Sequence, residues 1–149
     1  MLLLVFKLDE QSYALRLSVV EKIIRAVAVT ALPRKPEVVL GVIGVHGRIV
    51  PVVDIRKRFR LLEREMQLSD QMIIASTAHR TLALLVDSTA GVVQLSEEEM
   101  VGAAEIVPNL GYVEGAVRLE DGIVLIHDLD RFLSLEEEKA LGASLDTEA

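Results

Sequence analysis

The stretch Gly41-Val42-Ile43-Gly44-Val45-His46-Gly47-Arg48-Ile49-Val50-Pro51-Val52-Val53-Asp54-Ile55 decides the fold. Its β-branched residues fall in short runs broken by Gly44 and Gly47, which reads as strand, turn and strand. Laid without a gap at an offset of 74 residues, it matches Gly115-Ala116-Val117-Arg118-Leu119-Glu120-Asp121-Gly122-Ile123-Val124-Leu125-Ile126-His127-Asp128-Leu129. Gly, Ile, Val and Asp coincide, and most apolar positions fall together. Upstream, Tyr13-Ala14-Leu15-Arg16-Leu17 matches Leu82-Ala83-Leu84-Leu85-Val86 at an offset of 69. A repeat of this kind implies two similar β lobes. In each copy an Asp ends the second strand, Asp54 or Asp128, and is placed to cap the segment after it by accepting a backbone N–H.

Outward from this stretch the pattern persists. Residues 3–8 and 12–17 read as a hairpin across Asp9-Glu10-Gln11, and 27–32, 42–45, 48–53, 72–75, 81–86, 113–119 and 123–126 supply the other expected strands, about nine in all. Helix signals are few. Ser18 with Glu21, Ser96 with Glu99, and Ser134 with Glu137 each match the S-x-x-E capping box, so three short helices are expected. The last would run from about residue 135 toward 141 and fray beyond Gly142. The expected class is all-β with a few short helices, its two lobes closed or nearly closed so that no long strand edge lies bare.

Composition limits the chemistry. At 149 residues and 51% apolar the chain has a core's worth of side chains, and a net charge of −7 gives no field for nucleic acid. No cysteine is present, which excludes disulfides and thiolate chemistry and fits a reducing cytoplasm. Residues 1–6 are apolar but lack a basic flank and meet Lys7 and Asp9, so no export signal and no membrane insertion are expected. His46, His79 and His127 have no second ligand at metal spacing, and His79-Arg80 reads as a turn. No G-x-S-x-G and no phosphate-binding glycine loop occurs. The glutamates at 97–99 and 136–138 suit solvated helix starts, and Arg56-Lys57-Arg58 a solvated helix face. No catalytic residue, cofactor or metal is expected. A small β-barrel enzyme or ligand carrier would instead need His127, Asp128 and Asp54 convergent around one cavity.

Residues 41–56 resemble the signature of the CheW-like family, G-V-I-N-L-R-G-x-I-V-P-V-V-D-L-R. Val5-Phe6-Lys7-Leu8, Leu32-Pro33, Leu85-Val86-Asp87 and Gly111-Tyr112-Val113-Glu114-Gly115 fall in the family's order around it. The resemblance implies one domain over residues 1–149, with its core at about 3–133 and a helix and tail at 134–149. Its fold would be two five-stranded SH3-like barrels sharing a core. Its function would be that of a stand-alone, non-enzymatic adaptor, cytoplasmic, joining the cytoplasmic tips of chemoreceptors to the regulatory domain of a CheA-type histidine kinase. A related adaptor role in a pathway for pili, surface motility or a second messenger is the alternative. Partner contacts carried over by position fall on Val20, Lys22, Gly41, His46 and Gly47. Three of this chain's residues depart from the pattern: His46 stands for the usual Arg, Gly44 for Asn and Lys22 for Glu, which points to partners matched by a different charge.

Overall fold

The computed structural model describes residues 1–102, 113–120 and 122–148; Gly111, Tyr112 and Asp121 lie outside the described residues. The two matching stretches are hairpins. Strand β4 (Val39–Val45) pairs with β5 (Arg48–Val53), and β10 (Val113–Leu119) pairs with β11 (Gly122–His127). A β-bulge between Val39 and Gly41 recurs between Val113 and Gly115. Asp54 accepts the Arg56 and Lys57 amides at 3.1 and 3.4 Å to cap helix α1 (Ile55–Arg58). Asp128 accepts the Asp130 amide at 3.1 Å and opens a 3-10 turn at Leu129–Arg131. The second match holds as well: β7 (Thr81–Val86) runs parallel to β5 with Val52 opposite Ala83, and β2 (Gln11–Arg16) runs parallel to β11 with Ile126 opposite Ala14.

With β1 (Leu2–Leu8), β8 (Ser88–Gln94) and β9 (Val101–Gly102), one sheet has the order β8-β1-β2-β11-β10-β9. With β3 (Val20–Arg25) and β6 (Gln71–Ser76), the other has the order β3-β6-β7-β5-β4. The two β lobes are therefore present, but neither closes: among the described residues β8 and β9 end one order, and β3 and β4 the other. The six-stranded lobe unites the two ends of the chain, and the five-stranded lobe is its middle.

Alternation along the strands builds three cores. Leu3, Val5, Ala14, Val117, Val124 and Ile126 fill the six-stranded lobe, while Ile43, Val45, Val50, Val52, Met72 and Ile74 fill the five-stranded one. The opposite faces of the same strands, with Leu4, Phe6, Leu15, Ile73, Leu82 and Leu84, meet in a shared core. Strands buried on both faces read as unbroken apolar runs, which is why Leu82 to Val86 shows no alternation in sequence.

Charged groups tie the lobes as well. Asp87, just after β7, accepts the Asp9 amide of the β1–β2 turn at 2.6 Å and Arg56 Nη2 at 2.8 Å, and Arg56 also reaches Asp9 Oδ1 at 2.9 Å. Burial opposes the Asp87 charge, but the Arg56, Asp9 and Arg64 donors outweigh it and hold the carboxyl below its ordinary range. Arg56 is thus buried, not part of a solvated face, and Arg58 pairs with Glu137. Sequence missed this because partners 31 and 47 residues away leave no local trace.

Several expected elements differ. Residues 27–32 form no strand; Thr30 alone bridges Val42, and Leu32 turns into the shared core. Thr30 stands where the two-residue β9 stands against β10 in the other lobe. No helix starts at Ser18: a 3-10 turn at Leu17–Val19 leads into β3, because Glu21 is taken by Arg48 and Ser76 while Val20, Ile23 and Ile24 pair with β6. The other two capping boxes form, at Ser96 with Glu99 and at Ser134 with Glu137. The tail does not fray after Gly142. Helix α2 runs Leu135–Glu148, with Leu141 fully buried and Ser144 Oγ donating to the Arg34 carbonyl at 2.8 Å. Glu137 and Glu138, expected in solvent, fasten it to Arg58 and Arg80 of the five-stranded lobe.

Candidate functional site

Four of the five carried-over positions meet at one end of the five-stranded lobe. The β4–β5 hairpin turns over two residues, His46 at φ 47° and Gly47 at φ 79°, between the paired Val45 and Arg48. Two positive φ angles in a two-residue loop make the tight turn whose twist suits the flanking strands. Both residues are exposed. Val20 and Lys22 lie on edge strand β3 on either side of a bulge, where the register against β6 shifts at Glu21. Such a bulge re-aims the side chain at the extra position.

Glu21 is aimed along the end of the sheet. Its carboxylate accepts Arg48 Nη2 at 2.8 Å and Ser76 Oγ at 3.0 Å, and Arg48 Nη1 donates to Thr81 Oγ1 at 3.3 Å. One polar row thus crosses β3, β6, β7 and β5 and ties the edge strand to the hairpin tip. The Arg48 hydrogen bond, followed by that of Ser76, holds the Glu21 carboxyl below its ordinary range. Sequence reading missed Glu21 and Arg48 as site residues, since Ser18-x-x-Glu21 matched a capping box. Ile49, next to the tip, is 66% exposed, and its cross-strand neighbour Gly44 has nothing within 4 Å of the space a Cβ would take.

Gly41 does not join this surface. It faces Val52 toward the other end of the hairpin and is buried. A Cβ there would lie 2.2 Å from the Thr30 carbonyl oxygen, so its place is fixed by the close approach of the 30-bridge. Gly115 has the same environment beneath Val101, at 2.6 Å.

The residues weighed for catalysis do not converge. Asp54 and Asp128 each serve the cap of their own lobe, and His127 is buried among Tyr13, Phe59 and Phe132, stacked on Phe59 at 4.3 Å between ring centres. Among the described residues no group of three His, Cys, Asp or Glu could hold a metal ion.

The two-lobed topology and the hairpin at 41–55 correspond to a known domain: the family description CheW-like domain matches residues 2–137. The chain belongs to the CheW-like family. Among its relatives, the chemotaxis protein CheW of Bacillus subtilis is 28% identical over 140 residues, covering 93% of this chain and 90% of that protein. The chemotaxis protein CheW of Treponema pallidum is 25% identical over 145 residues, covering 93% and 85%. The crystal structure of the scaffolding protein TtCheW from Thermoanaerobacter tengcongensis superposes with a TM-score of 0.83 at 26% identity, covering 91% of this chain and 94% of that one. Membership and superposition agree with the fold class reached from the repeat.

Proposed function

We propose that this chain is a non-enzymatic scaffold of a chemosensory pathway, a single two-lobed domain that couples the cytoplasmic tips of chemoreceptors to the regulatory domain of a CheA-type histidine kinase. The family match over residues 2–137 carries this reading, supported by relatives that are chemotaxis and scaffolding proteins. Among the described residues no helix is long and apolar enough to cross a membrane, and a cytoplasmic place follows from the proposed partners.

The physics of the fold fits such work. A bracket must hold two partners at a fixed spacing, and a shared core with an ionic tie between lobes resists bending. The hairpin tip His46-Gly47 and edge strand residues Val20 and Lys22 form one contact surface, stiffened by Glu21 and Arg48. Lys22 and His46 give this surface a charge pattern suited to its own partners.

The test is co-precipitation with the organism's histidine kinase, intact and lacking its regulatory domain. The intact kinase is retained and the shortened one is lost. Retention of both overturns the reading.

A further inference from the structure

Helix α2 is built unevenly. Its first half is anchored: the Ser134–Glu137 capping box closes its start, three glutamates stand in its first turn, Glu137 and Glu138 pair with Arg58 and Arg80, and Leu141 is fully buried. Its second half is weaker by composition. Gly142 interrupts it at a cost to helix stability that Ala would remove, and no basic residue stands in its last turn to meet the negative end of the dipole. Past Gly142 the helix reaches the five-stranded lobe through Ser144, whose Oγ donates to the Arg34 carbonyl at 2.8 Å, and through half-buried Leu145. Leu145 lies along an apolar groove of about 460 Å³ whose other walls include Leu32, Val42, Ile43, Gly44 and Ile49. Gly44 pairs with Ile49, so Val42, Gly44 and Ile49 share one face of the β4–β5 hairpin. The end of α2 covers the near part of that face, while its far part, at Ile49, is bare and next to the His46-Gly47 tip. The family description ends at residue 137, so this half of the helix lies beyond the matched domain.

We propose that residues 142–148 of α2 are a strap that lies over this groove in the free chain and lifts off when a partner takes the hairpin tip, so that the chain's own helix competes with docking. Segments held by few buried contacts open locally while the rest of a domain stays folded, and Gly142 is the hinge at which the anchored half of α2 parts from the loose half. The occupant of the groove in the free chain is therefore the chain itself, and a partner must bring apolar side chains that replace Leu145. The proposal rests on the scaffold reading and makes affinity depend on how often the strap is open. A partner that binds the open form alone loses apparent affinity in proportion to the open fraction.

The test compares the full-length wild-type chain with Gly142→Ala, which tightens the strap, and with Leu145→Ser, which loosens it. A Cβ at Gly142 would lie 3.7 Å from Arg80 Nη2, an ordinary contact, so Ala fits without displacing the arginine. Hydrogen exchange of residues 142–148 is followed in the free chain, and affinity is measured for full-length kinase and, separately, for receptor in membrane vesicles. Exchange of the strap is expected to outrun that of residues 136–141, to slow about fivefold in Gly142→Ala, the helix preference of Ala over Gly, and to quicken in Leu145→Ser. Affinity for the partner that takes the tip is expected to fall about fivefold in Gly142→Ala and to rise in Leu145→Ser, and that partner is expected to quicken exchange of the strap when it binds. A partner that rests on Leu145 with the helix in place would instead lose affinity in Leu145→Ser and ignore Gly142→Ala, and that result overturns this proposal alone. So do affinities for both partners left unchanged by both variants, and strap exchange as slow as that of the lobe cores. A wild-type chain that binds neither partner overturns the scaffold reading and this proposal with it.

Discussion

Replacing each of three glycines in the hairpin with Ala separates packing from recognition. At Gly41 an added Cβ would sit 2.2 Å from the Thr30 carbonyl oxygen and 2.8 Å from Val29 Cγ1, and the first of these is backbone. Relief requires a shift of about 1 Å, which breaks the paired Thr30–Val42 bonds, each 2.9 Å long. Losing two backbone bonds at about 1 kcal/mol each, with some loosening of the packing around Leu32, gives a cost of about 2–4 kcal/mol. At Gly47, with φ 79° and open space, the cost is that of the left-handed backbone, about 1 kcal/mol. At Gly44, in a strand with nothing nearby, Ala is neutral or stabilises by about 0.5 kcal/mol. Urea denaturation reads the series directly: with a slope of about 2 kcal/mol/M, Gly41→Ala lowers the midpoint by about 1–2 M and Gly44→Ala leaves it in place. An unchanged midpoint for Gly41→Ala, with partner binding lost, would refute the packing argument and make Gly41 a contact residue.

Asp87→Asn removes the centre of the ionic tie and leaves Arg56 buried with Asp9 as its remaining carboxylate, a loss of about 2–4 kcal/mol in chemical denaturation. The folded carboxyls of Asp87 and Glu137 lie below their ordinary values, so the unfolded chain takes up protons first as pH falls. Their stabilisation is complete above the ordinary carboxylate range and declines from about pH 5 downward, and Asp87→Asn flattens that decline in a denaturation series against pH. Leu141→Ala opens a cavity under α2 and costs about 2–4 kcal/mol, read as a lowered melting temperature; an unchanged melting temperature would refute the packing of α2 on the shared core. His46→Arg changes kinase or receptor affinity without changing stability, since the side chain is exposed; unchanged affinity for both removes His46 from the contact surface.

The repeat was the legible part of the fold. Offsets of 74 and 69 residues, visible from Gly41 and Tyr13, recur as matched bulges, matched Asp caps and one parallel pairing within each lobe. Edge strands were harder to read. β8 opens with Ser88-Thr89-Ala90-Gly91 and, among the described residues, pairs with β1 on one side alone, so it lacks the apolar run that marks a buried strand. β3 was hidden because Ser18 and Glu21 have the spacing of a cap, a choice settled by Arg48 and Ser76, which lie far off in sequence. The same holds for the site. His46 and Gly47 were visible as a turn, but the row from Glu21 to Arg48 exists only once four strands lie side by side. Arg56 looked like one member of a solvated basic run until Asp9 and Asp87 were brought to it.

A scaffold that couples receptor to kinase is one stiff body gripped on separate surfaces at the same time. Sedimentation of receptor-bearing vesicles with this chain and soluble full-length kinase measures it most directly. Kinase is expected to pellet with the vesicles only when the chain is present, and added kinase to leave the amount of pelleted chain undiminished. Kinase that strips the chain from the vesicles, so that the two partners exclude one another, would contradict it.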